Sequence, residues 1–386
     1  MQAFNEIFGL GHAFCPAAIG EARRWLPPRT ELRTGGQLPF VGNMPCFCHI
    51  SVATDVGLRH LSEAGHCLPE QLEIYNDESS LIELSKQYAD TDWKIVASHF
   101  PYPAEYEVEQ FWVDPKWVAR IDNKQYLGEW VPRTHLPERI VVQTNKIHTY
   151  EGSLPVVIKI STDLTNGAGL GVMRCSERHD LYAAENYFRD CEEVIIEQWM
   201  NFNETWCLNY ACFKYGPIEF LGAAQQLINQ KMEFMGNLFH SMKMYCPQML
   251  ELGDIVSRKI ASSGYYGIVG LDIGQTEEGE LYLFDINCRM NASTTPLLAL
   301  EKFSWLKEYP LQRTVRLRDD ASLEKAIRLS EKALSMKRFL PLSTFAPATA
   351  GLDGTPFVAG LLAGESEAEI SSYLGQQLGQ NNINKN

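Results

Sequence analysis

One stretch, VVIKISTDLTNGAGLGVMR at residues 156–174, limits the folds open to this chain more than any other part of it. An apolar run with a lysine at its centre, Lys159, leads into three alternating glycines, Gly167, Gly169 and Gly171. Glycines at alternate positions let backbone N–H groups approach an anion closely, because no Cβ intervenes. The stretch therefore predicts a strand, a glycine loop and a bound anion.

The residues after the glycines separate this loop from the common nucleotide-binding loops. A dinucleotide-binding loop or a Walker loop opens directly into a helix, whereas residues 172–175 are apolar and strand-like, and no Gly-Lys-Ser/Thr sequence is present. We predict an antiparallel hairpin whose tip folds over a ligand. A strand lysine such as Lys159 can extend its ammonium to solvent, but a buried ammonium needs an anion, and the adjacent loop favours the buried interpretation.

A second predicted hairpin, at residues 266–291, brings two carboxylates together. If residues 278–279 form a two-residue turn, Asp272 lies directly opposite Asp285. Asn287 then lies on the face of Asp285. Two facing carboxylates repel unless a cation lies between them, and Mg²⁺ accepts carboxylate and amide oxygens. The alternative, a frayed hairpin with both carboxylates in solvent, conflicts with the apolar residues that surround them.

Composition excludes several classes of partner. The 34 basic and 48 acidic residues of the 386-residue chain give a formal net charge of −14, and the acidic residues are scattered. A surface for nucleic acid or for an anionic membrane needs the opposite sign, and no apolar run approaches the ~20 residues that span a bilayer. Ten cysteines without a signal-peptide pattern predict free thiols in the cytoplasm.

The motifs are confined to the middle of the chain. Residues 1–118 mix short apolar runs with helical stretches, which predicts an α/β unit with a small sheet. Residues 119–308 hold the predicted strands and both hairpins. Residues 309–386 contain a charged amphipathic helix, a Pro/Gly-rich passage and a strand followed by a helix, and the polar tail GQNNINKN at 379–386 predicts disorder.

Taken together, the strand lysine, the glycine hairpin and the D…(D/E)-x-N-x-R strand pair resemble the ATP-grasp family of ligases, in the order in which that family has them. The resemblance covers roughly residues 119–308. It implies an α/β (α+β) ATP-grasp fold whose two lobes, 119–200 and 201–308, hold ATP between antiparallel sheets. A pre-ATP-grasp α/β domain corresponds to residues 1–118, and residues 309–386 form a C-terminal segment packed on the grasp core.

The resemblance assigns residues to the nucleotide. Lys124 in DNKQYL and Lys159 in VVIK are similar to the two lysines that contact the nucleotide phosphates, and Lys146 competes with Lys124 for the first role. The other positions that the resemblance implies are the cover over the β- and γ-phosphates (residues 165–171, with Gly167, Gly169 and Gly171), the adenine edge (Glu197, Gln198 and Trp199) and the ribose contact (Glu204).

The resemblance also assigns the metal and the reacting group. Asp272, Asp285 and Asn287 match the ligands of Mg²⁺, for which Mn²⁺ is a substitute. Arg289 matches the arginine that steadies an acyl phosphate, and with Lys159 it is a predicted catalytic residue. The chain departs from the family at two positions, because Asp285 stands where a glutamate is usual and Cys288 changes the common Asn-Pro-Arg to Asn-Cys-Arg.

The activity implied is an ADP-forming ligase that activates a small-molecule carboxylate, an amino acid by preference, as an acyl phosphate and joins it to an amine. Two alternatives stay open: a ligase that forms a thioester on an acyl-carrier protein, which the basic residues Lys332, Lys337 and Arg338 would help to dock, and an ATP-binding module without catalysis. A homodimer is also left open. The intermediate needs a cover against water, and the candidates are the glycine loop and residues 228–244.

Overall fold

The computed structural model describes residues 1–27, 29–100, 106–167, 169–229, 234–241 and 245–378. The helices are α1 Asn5–Phe8, α2 Asp55–Glu63, α3 Glu78–Ala89, α4 Pro115–Asp122, α5 Leu127–Trp130, α6 Arg178–Tyr187, α7 Pro247–Ser262, α8 Thr294–Lys302, α9 Leu323–Ser335 and α10 Glu367–Leu378. The strands are β1 His12–Cys15, β2 Cys46–His49, β3 Leu72–Tyr75, β4 Lys94–Ala97, β5 Arg139–Gln143, β6 Val156–Ile160, β7 Val172–Cys175, β8 Glu193–Gln198, β9 Phe202–Cys212, β10 Ile218–Ile228, β11 Phe234–His240, β12 Gly267–Thr276, β13 Leu281–Asn287, β14 Leu311–Arg318, β15 Phe339–Phe345 and β16 Phe357–Gly364. None of the helices in these ranges is long and apolar enough to cross a bilayer.

The first sheet confirms the predicted α/β unit. It has four parallel strands in the order β3-β2-β1-β4. Every residue of β1 and β2 is buried, as in parallel sheets that are covered on both faces. Local capping fixes where two of its helices begin: Thr54 accepts a hydrogen bond from the Gly57 N–H at α2, and Asp77 forms a capping box with Ser80 at α3.

The second sheet contains the predicted glycine hairpin. Its four strands, in the order β5-β8-β6-β7, are antiparallel. Strand β6 is buried along its whole length and pairs with β7, with Lys159 opposite Val172. The predicted hairpin is therefore confirmed, with the glycine loop at its tip.

The third sheet has eight strands in the order β13-β12-β9-β10-β11-β14-β16-β15. The predicted C-terminal elements are present as α9, β16 and α10. Strands β14, β16 and β15 continue the sheet across residue 308, because β14 pairs with β11. The domain boundaries stay predictions, and residues 379–386 lie outside the described residues.

The β12–β13 hairpin reaches the predicted register by a different route. Asp272 lies opposite Asp285, as predicted. The turn, however, has three residues and not two: the Thr276 N–H bonds to the Glu280 carbonyl at 3.0 Å, and Gly279 adopts the left-handed region at φ +85°. A β-bulge between Asp272 and Ile273 shifts the register by one residue and restores the opposed carboxylates.

The second candidate cover, residues 228–244, differs from the prediction. We expected a polar segment between a strand and a helix. Its centre is instead β11, which pairs with β10 on one side and β14 on the other, so this part belongs to the large sheet. Residues 230–233 and 242–244 lie outside the described residues.

A buried histidine joins the first sheet's domain to the large sheet. His66 Nε2 lies 2.6 Å from the carbonyl oxygen of Pro341 in β15, and the ring contacts those of Phe40 and Phe303. Since a carbonyl only accepts, Nε2 carries the proton. Burial, aided by the positive charge of Lys302, lowers the pKa of His66 to about 4. The fold therefore holds this ring neutral.

The low pKa of His66 predicts acid sensitivity. The folded pKa lies below the ordinary value of 6.5, so protonation favours the unfolded chain, and stability is lost as pH falls from 6.5 towards 4. A shift of this size corresponds to roughly 3 kcal/mol of unfolding free energy. The free energy of unfolding, measured with urea at pH 7, 5 and 4, should fall less steeply with decreasing pH for His66→Gln than for the parent protein. The exposed control His179→Gln should keep the parent slope, and an unchanged slope in His66→Gln would contradict the assignment.

Candidate active site

The opposed carboxylates lie beside a buried lysine. Lys124 follows α4 in a 3-10 turn, and its Nζ is 2.7 Å from Asp285 Oδ1 and 3.0 Å from Asn166 Oδ1 in the glycine loop. Lys146 is exposed in the 3-10 turn that follows β5. The structure thus brings Lys124, and not Lys146, to the carboxylate pair.

Lys159 is buried and has an anionic partner within the protein. Its ammonium donates to Glu197 Oε1 and lies 3.5 Å from the Phe284 carbonyl oxygen, while Arg139 Nη2 is 3.4 Å from Glu197 Oε2. Burial lowers the pKa of Lys159, and the Glu197 charge opposes that shift. The solvent-exposed interpretation of Lys159 is therefore wrong, and the Glu197 side chain is directed to the lysine.

Arg289 is held in place by three partners. Its Nη1 donates to Asp122 Oδ2 at 2.7 Å, and its Nη2 donates to Asn287 Oδ1 at 2.6 Å and to the Asn166 carbonyl at 3.0 Å. Asp122 also accepts from the Cys288 N–H at 2.7 Å. Burial raises the pKa of Asp122, and the Arg289 charge is the main opposing influence. Asp122 fixes the direction of the arginine.

Sequence reasoning missed Asp122, and it included Asn166 in the cover at residues 165–171 without giving it a contact; both residues tie the predicted residues together. The only sequence signal for Asp122 was its place two residues before Lys124. Asn166 lies one residue before the first glycine, and it meets Lys124 through its side chain and Arg289 through its backbone. These contacts join residues 42, 123 and 167 positions apart, and contacts at such distances leave no local pattern in one sequence.

The glycine loop packs against the N-terminal domain. The Gly167 N–H donates to the Trp25 carbonyl at 3.1 Å, and the Phe100 N–H donates to Thr165 Oγ1 at 3.0 Å. A Cβ at Gly171 would lie 2.4 Å from the Ile160 side chain, and Gly169 has φ +82°, so both positions favour glycine. The loop is held between the N-terminal domain and the Arg289 side of the site.

The predicted adenine and ribose positions lie where the second sheet meets the third. Gln198 ends β8, and its N–H donates to the Glu138 carbonyl at 2.8 Å. Trp199 stacks under the Arg174 guanidinium, 4.2 Å from the ring centre. Glu204, in β9, accepts from the Trp206 indole at 3.1 Å. They lie at or near the link from β8 to β9, and their contact with a nucleotide stays a prediction.

The carboxylate pair fits a divalent cation. Asp272 is buried, and its Oδ1 has no hydrogen-bond partner among the described residues. Burial first, and then the Asp285 charge, raises the pKa of Asp272 to about 6. No group of three His, Cys, Asp or Glu side chains in the described ranges could hold a metal alone. An ion here would be held by Asp272, Asp285 and the Asn287 amide, completed by phosphate oxygens and water, a donor set that suits Mg²⁺.

Family comparisons agree with the fold. A model described as "L-aspartate–L-methionine ligase, ATP grasp" matches residues 137–287, and one described as "L-aspartate–L-methionine ligase N-terminal domain" matches residues 3–119. Together they cover more than two thirds of the chain. The chain belongs to the ATP-grasp family of ligases. It is an ATP-binding, ADP-forming enzyme that joins a carboxylate to an amine.

Solved structures share the fold at low identity. The chain is similar to N5-carboxyaminoimidazole synthetase from Staphylococcus aureus complexed with ADP, with a TM-score of 0.60 and 12% identity over 98% of this chain and 99% of that one. It is also similar to an L-amino acid ligase from Bacillus licheniformis, with a TM-score of 0.54 and 12% identity over 95% and 96% of the two chains. At this identity the likeness establishes the fold alone.

Proposed function

We propose that this enzyme joins the α-carboxylate of L-aspartate to the amine of L-methionine, at the expense of ATP. The observation that carries the substrate assignment is that both matched models, one over residues 3–119 and one over residues 137–287, describe the same ligase. A site for acyl activation supports the chemistry: it contains two lysines, a fixed arginine and a pair of carboxylates, and Lys124 and Arg289 contact the glycine loop.

Each step balances without a further reactant. A carboxylate oxygen of aspartate attacks the γ-phosphorus of ATP, and the bond to the β-phosphate oxygen breaks, which releases ADP. The methionine amine then attacks the carbonyl carbon of the acyl phosphate, phosphate leaves with the electron pair, and the nitrogen loses a proton to give the amide. Phosphoryl transfer of this kind depends on positioning and on charge neutralisation.

The side chains of the site have separate tasks in this scheme. Lys124 and Lys159 neutralise the phosphates, and Arg289, held by Asp122, binds the oxyanion of the acyl phosphate. Asp272, Asp285 and Asn287 would hold Mg²⁺, which when bound neutralises the charge that develops on the transferring phosphate. The glycine loop excludes water, which would hydrolyse the intermediate.

Substrate-dependent nucleotide turnover tests this proposal. Purified protein with Mg-ATP should release ADP and phosphate when L-aspartate and L-methionine are both present, and mass spectrometry should detect the dipeptide. Reactions with D-aspartate, or without methionine, serve as controls and should stay near the background. AMP and pyrophosphate as products would refute the acyl phosphate, and a lack of turnover with this pair would refute the substrate assignment.

Location and partners complete the proposal. A cytoplasmic location is supported by the ten cysteines, all of which lie within the described residues and are free. The carrier-protein alternative and the homodimer stay predictions. The basic patch suggested for a carrier protein is weakened, because Arg338 Nη2 pairs with Glu369 Oε1 at 2.7 Å.

A further inference from the structure

Two arginines from distant parts of the chain lie beside neighbouring residues of the glycine loop. Arg33, in the N-terminal 3-10 turn Thr30–Thr34, lies beside Gly167: a Cβ built there would be 3.7 Å from Arg33 Nη2. Arg289 contacts the preceding residue, Asn166, through its carbonyl. Burial, and then the charge of Arg289, lowers the pKa of Arg33 to about 10. Arg33 therefore lies close enough to Arg289 for the two positive charges to repel each other.

Arg33 has no carboxylate partner among the described residues. Arg289 is neutralised by Asp122, whereas the one hydrogen bond of Arg33 joins its Nη1 to His99 Nε2 at 2.9 Å. Arginine only donates, so Nε2 accepts, and the neutral ring carries its proton on Nδ1. That nitrogen is buried and has no hydrogen-bond partner in the described ranges. Apart from the bond between them, the side-chain N–H groups of Arg33 and His99 have no acceptor among the described residues.

Such an arrangement is unfavourable in the absence of an anion. A partly buried guanidinium loses hydration, and a second guanidinium nearby adds repulsion. His99 does not supply negative charge, and burial together with the charges of Arg33 and Arg289 holds the pKa of His99 well below its ordinary value. An oxyanion with two acceptor oxygens would satisfy the free donors, because the guanidinium fork matches a carboxylate.

We propose that Arg33 binds a carboxylate of an amino-acid substrate that does not react. This inference rests on the proposed function, in which two carboxylates are spectators: the side-chain carboxylate of L-aspartate and the α-carboxylate of L-methionine. Arg33 is then a specificity residue by which the N-terminal domain selects the substrate, while Arg289 serves the reacting group.

The variant Arg33→Gln tests the proposal against Arg59→Gln, an exposed arginine in α2 of the same domain. The KM for one amino acid should rise at least about 10-fold, as expected for a lost charged hydrogen bond, while the KM for ATP stays at the parent value. Two amides identify which carboxylate Arg33 binds: L-asparagine lacks the side-chain carboxylate of aspartate, and L-methioninamide lacks the α-carboxylate of methionine. The variant should cease to discriminate between a substrate and its amide only for the carboxylate that Arg33 binds. An effect confined to the KM for ATP, or no effect, would overturn the proposal.

A second readout separates substrate binding from a structural role. Removing an unneutralised cation should leave the melting temperature of the ligand-free protein at or above that of the parent, whereas a lower melting temperature with a proportional loss of all activities would overturn the proposal. Calorimetric titration with each amino acid separates the two hypotheses. If the parent protein binds neither amino acid, the proposed function fails; if the parent and Arg33→Gln bind both equally, the Arg33 inference fails.

Discussion

The Asp285→Asn enzyme is expected to have a ligation rate more than about 100-fold below that of the parent. Replacing a residue that only supports a metal ligand usually has a smaller effect, of about 10- to 100-fold. Asp285 lies opposite Asp272 and 2.7 Å from Lys124. Asparagine retains the shape of the side chain but removes the charge that a divalent cation and the lysine require. The measurement is the rate of ADP release at saturating substrates over a range of Mg²⁺ concentrations.

The fold of this variant should survive. Loss of the Asp285 charge removes repulsion on the buried Asp272, which offsets part of the lost ion pair with Lys124. We expect a melting temperature within a few degrees of the parent, since the Lys124 ammonium keeps its bond to Asn166 Oδ1 and the nearby charge of Asp272. Asp254→Asn, which removes a half-exposed carboxylate from α7, is the matched control. Full activity in Asp285→Asn would refute its role as a ligand.

The Lys159→Met enzyme is expected to lose both stability and ATP affinity. Its ammonium is buried and paired with the Glu197 carboxylate. Removing one partner of a buried ion pair costs about 3–5 kcal/mol, and we expect the lower end because Arg139 stays 3.4 Å from Glu197. Urea unfolding measures the first effect, and calorimetric titration of ATP measures the second.

A double variant separates the two effects. In Lys159→Met/Glu197→Gln no buried charge is left without its partner except that of Arg139, so most of the lost unfolding free energy should return. The ATP affinity should stay low, because the cation that meets the phosphates is still missing. Recovery of ATP binding together with stability would show that Lys159 serves the fold and not the nucleotide.

The β12–β13 hairpin shows how far one sequence can predict this site. The opposed pair of Asp272 and Asp285 is confirmed, although the turn is one residue longer than predicted and a bulge compensates. Alternation and apolar burial determine which face a strand residue occupies. Turn length and bulges depend on backbone details such as the left-handed Gly279, and a Glu-Gly pair alone leaves them undecided.

The partners of the polar side chains in long-range contacts could not be predicted from the sequence. Lys159 in an apolar strand predicted a buried cation, and it is buried. Its partner Glu197 was assigned to the adenine edge, because nothing in the two strands states which side chains meet. Arg33 illustrates the same limit: its isolation from carboxylates is visible only once the N-terminal domain is placed against the glycine loop.

The central claim is that this site activates a carboxylate by transferring the γ-phosphoryl group to it. The most direct test is a single-turnover reaction with L-aspartate carrying ¹⁸O in both oxygens of its α-carboxylate, followed by mass spectrometry of the phosphate. An acyl phosphate passes one labelled oxygen to the released phosphate, so singly labelled inorganic phosphate is the predicted result. Label in AMP, or phosphate without label while dipeptide forms, would contradict the account.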